Sequence, residues 1–209
     1  MKGNMIGIID LKMGNLRSVF NAIYQLGFDP IVASSNINWQ SITHLILPGV
    51  GHFQTAMENC RQLDLINPIK EFIAKQRPLL GICLGMQILA EYGEEGGGSQ
   101  GLNCLSGKVI HLNKKINLPI PHVGWNEIHF KKSHPVFQNI KERADFYFVH
   151  SYYYDDSQAE TIIGETNYGK YFPSIVGKNN IVGVQFHPEK SQKNGLMLLE
   201  NFCQWDGQC

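Results

Sequence analysis

The sequence predicts an α/β protein whose mostly parallel central sheet is flanked by helices and extended by antiparallel strands. Two observations carry this. In the first half, short uninterrupted apolar runs alternate with segments of helical apolar spacing, the pattern of strands buried on both faces and covered by crossover helices. In the second half, strand-like runs follow one another with few helices between them, which adds antiparallel strands to that core.

Met5–Ile9 reads as a buried strand. Between Asn15 and Leu26, the residues Leu16, Val19, Phe20, Ile23 and Leu26 recur at helical spacing, and Gly27 closes the segment. Pro30–Ala33 and His44–Leu47 are the next strands, the second running into the turn signal Pro48-Gly49-Val50-Gly51. A helix pair fills about 52–75, Leu79–Ile82 is a further strand and Leu84–Tyr92 a further helix. Strands are then expected at Lys108–Leu112, Trp125–Phe130, Phe146–Tyr153, Thr161–Thr166, Ser174–Val176 and Ile181–Phe186, with a hairpin turn at Lys178-Asn179-Asn180. A helix over Gln192–Trp205 follows, and Gly96-Gly97-Gly98 reads as a flexible loop beside the site. Nothing resembles an interdomain linker, so residues 1–209 are expected to form a single domain.

Composition narrows the function. Lys plus Arg and Asp plus Glu both number 18, so there is no basic field for nucleic acid or anionic lipid. The apolar run near the start is too short for a signal-peptide core, and none reaches the roughly 18 residues of a membrane helix, so a cytoplasmic location is expected. Five scattered cysteines fit neither a disulfide framework nor the paired spacing of a zinc site. The mid-chain histidines 111, 122, 129, 134 and 150 lack metal-ligand spacing, so no metal and no cofactor is expected.

Gly81-Ile82-Cys83-Leu84-Gly85 has the form G-x-C-x-G, the thiol version of the elbow that places a nucleophile on a tight strand-to-helix turn. The glycines leave room for helix packing and substrate approach, and a helix starting after Cys83 aims free N–H groups at the sulfur, which favours thiolate. Alone, the motif fits a buried inert thiol in a packing turn equally well, so the rest of the chain decides. A thiol nucleophile needs a base, and the base an orienting acceptor. Val184-Gln185-Phe186-His187-Pro188-Glu189 supplies both at a strand end, where alternating side chains put His187 and Glu189 on one side. The Val50-Gly51 turn can aim a peptide N–H at a developing oxyanion, and the Leu84 N–H is a natural second donor.

Together PGVG (48–51), GICLGMQ (81–87) and GVQFHPEKS (183–191) resemble the class I, triad-type glutamine amidotransferases. The IDLKMGNLRSV start, PHVGWNEI (121–128) and FYFVHSYYY (146–154) are most similar to the glutaminase subunits of imidazole glycerol phosphate synthase. The resemblance covers essentially the whole chain and implies a flavodoxin-like fold. It implies that Cys83 is the nucleophile, His187 the general base and acid, and Glu189 the orienting carboxylate in hydrolysis of L-glutamine to glutamate and ammonia. Gln87 and Glu95, with Gly51, Ser151 and Tyr152, match positions that hold glutamine. Asn15, Trp125, Asn126 and Lys190 match positions facing a (β/α)8-barrel synthase that receives the ammonia in a heterodimer and makes imidazole glycerol phosphate and an aminoimidazole carboxamide ribotide. Leu11-Lys12-Met13 and the Tyr152–Tyr154 run depart from the expected pattern. They leave room for a related subunit feeding a surface-polysaccharide amidotransferase, and a stand-alone γ-glutamyl cysteine hydrolase on the same elbow is a further alternative.

Overall fold

The computed structural model describes residues 4–114, 117–156 and 160–208. In chain order the strands and α-helices are β1 (Met5–Ile9), α1 (Leu16–Gln25), β2 (Asp29–Ala33), β3 (His44–Gly49), α2 (Phe53–Gln62), α3 (Ile66–Ala74), β4 (Leu79–Cys83), α4 (Leu84–Gln87), β5 (Tyr92–Gly93), β6 (Ser99–Gln100), β7 (Lys108–His111), β8 (His122–Glu127), β9 (His129–Phe130), β10 (Asp145–His150), β11 (Tyr152–Asp155), β12 (Ile162–Tyr168), β13 (Lys170–Lys178), β14 (Ile181–Val184) and α5 (Gln192–Gln204).

The central sheet has the order β2-β1-β3-β4-β14-β13-β12-β9. The first five strands of that order are parallel and the last three antiparallel, which is the expected fold class with its edge extension. Its parallel strands read as continuous apolar runs because alternate side chains enter different cores. Ile46, Leu80 and Ile82 pack with Val19 and Ile23 of α1 and Leu198, Leu199 and Phe202 of α5. Leu45, Leu47 and Leu79 pack on the opposite side with Phe53, Met57, Ile69 and Phe72 of α2 and α3. The remaining strands form two small sheets, β10-β8 and β11-β7-β5-β6.

The Lys178–Ile181 hairpin forms as expected, with Asn179 at φ 54° in its two-residue turn. Several expectations are corrected: the strand expected over Trp125–Phe130 divides into β8 and β9, and that over Phe146–Tyr153 divides at Ser151 into β10 and β11, each pair lying in two different sheets. The helix after Cys83 stops at Gln87 instead of running to Tyr92. Its last turn tightens, with Ala90 N–H donating to the Gln87 carbonyl, and the carbonyls of Ile88, Leu89 and Ala90 accept from Leu102, Cys104 and Asn103 of the following loop. The other strand-end expectation fails at Val184, where β14 ends: Pro188–Lys190 is a turn of 3-10 helix with proline at its start, so His187 and Glu189 meet through a turn and not through strand alternation. Gly96 and Gly97, within the 3-10 turn Glu95–Gly97, and Gly98 just after it all adopt positive φ, the conformational use that glycine serves there.

Candidate active site

Ligands of open α/β sheets bind outside the carboxyl ends of the parallel strands. Here the ends of β3, β4 and β14, adjacent in the sheet, deliver Val50 and Gly51, Cys83, and the His187 turn to one place.

Cys83 sits at φ 53°, ψ −110°, a conformation of high energy for a residue with a side chain, and is only 6% exposed. The surrounding glycines hold that geometry by permitting close approach. A Cβ on Gly85 would lie 1.6 Å from the Leu47 carbonyl oxygen, and one on Gly81 would lie 2.8 Å from Met86 Cα. A four-residue α4 carries little dipole, less than the longer helix expected from the sequence would supply. Leu84 is buried at its first turn, where a backbone N–H has no helical acceptor.

His187 is fully buried, and its Nδ1 donates to Glu189 Oε1 at 2.9 Å, with both side chains shielded from solvent. Among the described residues no group other than the Cys83 sulfur is a partner for the buried Nε2. Burial alone would lower the His187 pKa. The charge and hydrogen bonding of Cys83, joined by those of Glu189, override it and lift the value to about 10. Asn15, expected to face a partner, also reaches the triad: its Nδ2 lies 3.4 Å from His187 Nδ1.

Val50, Gly51, Cys83, Gln87, Glu95, Ser151 and Tyr152 line one cavity of about 310 Å³, so the expected nucleophile, the expected oxyanion turn and the expected glutamine contacts come together. Gly51 adopts φ 107°. Glu95 is anchored: Oε2 accepts from the Phe53 N–H at 2.7 Å, and Oε1 pairs with His52 at 3.1 Å, which caps the start of α2. Gln87 Nε2 donates to the Tyr152 carbonyl at 3.0 Å and to Gln185 Oε1 at 3.1 Å. A larger depression of about 750 Å³ between Phe130 and Ile140 contains neither nucleophile nor catalytic base.

Sequence reasoning missed Gln185. It is fully buried and its Nε2 donates to Cys83 Sγ at 3.6 Å, which makes it an amide donor to that sulfur from the bend just after β14, the strand next to β4. A polar residue inside the apolar run VGVQF was the available signal. On the surface beside the triad, Trp125 is 48% exposed with its ring 6.1 Å from Tyr147, over which Lys190 Nζ lies at 5.9 Å. Trp125, Tyr147 and Lys190 therefore form one patch, whereas Asn126 is partly buried and bonds inward.

A parallel sheet whose strand ends bring together a cysteine elbow, a buried His-Glu pair and a glycine turn is an arrangement suited to cysteine-dependent acyl chemistry. The glutamine amidotransferase class-I pattern matches residues 7–205, and the chain belongs to that family. It is 45% identical to the imidazole glycerol phosphate synthase subunit HisH of Desulfitobacterium hafniense, over 96% of this chain and 94% of that protein. It is 46% identical to the corresponding protein of Aquifex aeolicus, over 93% and 94%. In fold it is similar to the structure of PurLQS from Thermotoga maritima, with TM-score 0.75, 14% identity and coverage of 97% and 98%. A putative GMP synthase component from Thermoplasma acidophilum superposes with TM-score 0.71, 15% identity and coverage of 98% and 96%.

Proposed function

We propose that this chain is the glutaminase subunit of an imidazole glycerol phosphate synthase. It hydrolyses L-glutamine and passes ammonia to a (β/α)8-barrel partner that makes imidazole glycerol phosphate and an aminoimidazole carboxamide ribotide in histidine biosynthesis. The observation that carries the chemistry is the buried Cys83–His187–Glu189 arrangement opening on the cavity of Gln87, Glu95 and Tyr152. Identity of 44–46% over nearly the full chain to subunits named HisH supports the pathway.

The Cys83 sulfur attacks the side-chain amide carbon of glutamine, and the negative oxygen that develops is met by the Val50-Gly51 peptide and the Leu84 N–H. The Cys83 thiol proton passes to His187, whose pKa the Cys83 and Glu189 contacts raise, and His187 then gives that proton to the departing ammonia. The C–N bond breaks and leaves a γ-glutamyl thioester. Neutral His187 then takes a proton from water, which attacks the thioester and releases glutamate. Glu95 offers its charge to the substrate ammonium. On this reading the partner face takes in Trp125, Lys190 and Asn15, with Asn126 behind it, bonded inward to His122 and Asn167. Free turnover would waste glutamine, so the chain is expected to be weakly active until the partner binds its own ligand, with the Val50-Gly51 peptide as the switch.

The test is ammonia release from glutamine by the purified chain, alone and with a barrel synthase plus its ribulosyl ligand. Strong stimulation by partner and ligand, abolished in Cys83→Ala, is the expected result. Ammonia release by Cys83→Ala at the wild-type rate would sink the nucleophile assignment, and equal activity without the partner would sink the subunit reading.

A further inference from the structure

His122 and His150 belong to none of the roles above, yet they are buried 3.0 Å apart, His122 Nδ1 to His150 Nε2, on the paired strands β8 and β10. Among the described residues no group of three or more His, Cys, Asp or Glu is placed to hold a metal, so the pair is a hydrogen bond and not half of a metal site. Its direction is fixed independently from both ends. At one end His150 Nδ1 bonds the Tyr152 carbonyl at 2.8 Å, and a carbonyl only accepts, so Nδ1 carries the proton and Nε2 is an acceptor. At the other end, Asn126 Oδ1 accepts from the Glu127 N–H at 2.8 Å and its Nδ2 donates to the Asn167 carbonyl at 3.0 Å, which fixes the amide orientation. Asn126 Nδ2 therefore donates to His122 Nε2 at 3.2 Å, leaving His122 Nδ1 as the donor to His150. The two assignments agree.

The chain of bonds continues inward. The Tyr152 carbonyl also accepts from Gln87, Gln87 donates to Gln185, and Gln185 donates to the Cys83 sulfur. His122 is stacked between Tyr168 and Phe148, at ring distances of 4.1 and 4.9 Å, which walls water away from it. Burial lowers the pKa of His122 to about 4 and of His150 to about 3, in keeping with two neutral rings. Tyr152 and the adjacent Ser151 and His150 line the cavity beside Cys83, so whatever fixes the Tyr152 peptide fixes one wall of the pocket.

We propose that His122 and His150 are positioning residues: with Asn126 they form a one-directional hydrogen-bond chain that holds the Tyr152 peptide, and through it Gln87 and Gln185, in register with Cys83. The inference rests on the glutaminase reading for its effect on turnover but not for its effect on the rings. Histidine labelled with nitrogen-15 in the full chain should show Nδ1 protonated and Nε2 unprotonated in both residues at neutral pH, with coupling across the bond between them. An Nε2–H form of either ring overturns the proposal.

The second measurement separates positioning from packing. His122→Phe keeps the stacked ring and orphans the buried His150 acceptor, so the KM for glutamine should rise about ten-fold with a smaller change in kcat. His122→Asn loses the ring and places an amide donor where Nδ1 stood, so it should return KM toward the wild-type value. A His122→Phe protein with wild-type KM overturns the proposal, because a packing role predicts that result. Should His122→Phe not fold, the labelling result on the wild-type chain decides. Absence of ammonia release from the wild type under any condition defeats the glutaminase reading alone and leaves the tautomer test standing.

Discussion

Substituting Gly85 by alanine tests whether close contact between the elbow and the neighbouring strand holds the site. The added Cβ would lie 1.6 Å from the Leu47 carbonyl oxygen and 2.7 Å from its carbon, where ordinary contact begins at 3.4 Å. Both obstructing atoms are backbone, so no side chain can rotate away, and α4 must move off the end of β3. Overpacking of this kind costs about 3 kcal/mol, the upper part of the usual range. For a chain of this size that lowers Tm by about 6–12 °C, read by scanning calorimetry. The same displacement separates Cys83 from the Val50-Gly51 turn, and a misplacement of about 1 Å costs on the order of 100-fold in ammonia release. Gly27→Ala is the control: its φ is 84°, nothing lies within 4 Å of the added Cβ, and it is remote from the cavity, so it should lose about 1 kcal/mol of stability and no turnover. A Gly85→Ala protein that melts like Gly27→Ala and keeps wild-type turnover would refute the reasoning.

Further outcomes follow from the same geometry. Burial acts to lower the His187 pKa but the Cys83 and Glu189 contacts raise it from 6.5 to about 10, so its contribution to stability is complete below pH 6.5 and is lost as pH climbs toward 10. Urea unfolding across that window should show the loss, and a Cys83→Ala chain, lacking the first of the raising influences, should show a flatter profile. On the acid side, burial lowers His122 and His134 to about 4, so stability should also fall as pH drops from 6.5 toward 4. Gln185→Glu keeps the acceptor for Gln87 and removes the donor to sulfur; kcat should fall about 10- to 100-fold, and an unchanged kcat would count against Gln185 as a partner of the nucleophile. Glu95→Gln retains an acceptor for the Phe53 N–H while losing the charge, so KM for glutamine should rise about ten-fold with Tm nearly constant; an equal loss in Tm would assign Glu95 to capping alone.

The parallel core was legible in the sequence because strands covered on both faces leave nearly unbroken apolar runs, as in Leu45-Ile46-Leu47 and Leu79-Leu80. The elbow was legible because its glycines are demanded by backbone contact, which restricts residue choice at fixed offsets from Cys83. The length of α4 was not, because Ile88, Leu89 and Ala90 are all buried, and an apolar stretch with no solvent face has no periodicity that separates helix from buried coil. The His187–Glu189 contact was anticipated with the wrong local geometry, since one intervening proline serves a 3-10 turn as readily as a strand end. Gln185, His122 and His150 escaped because their roles arise from pairings across strands, and nothing local in the sequence records which carbonyl or imidazole a side chain will meet.

The adjacency of β4 and β14 has a consequence for synthesis of the chain. Cys83 and Gln185 touch although 102 residues separate them, and the proposed base, His187, lies beyond Gln185. At about 5–20 residues per second, a ribosome takes about 5–20 s to go from the nucleophile to the base. Throughout that interval the nascent polypeptide carries a cysteine elbow with no imidazole beside it and no central strand to bring one, so it cannot consume glutamine. On the proposed assignment, competence arrives when β14 inserts next to β4 and closes the 102-residue separation between Cys83 and Gln185, which makes docking of that strand the step that brings an imidazole to the thiol.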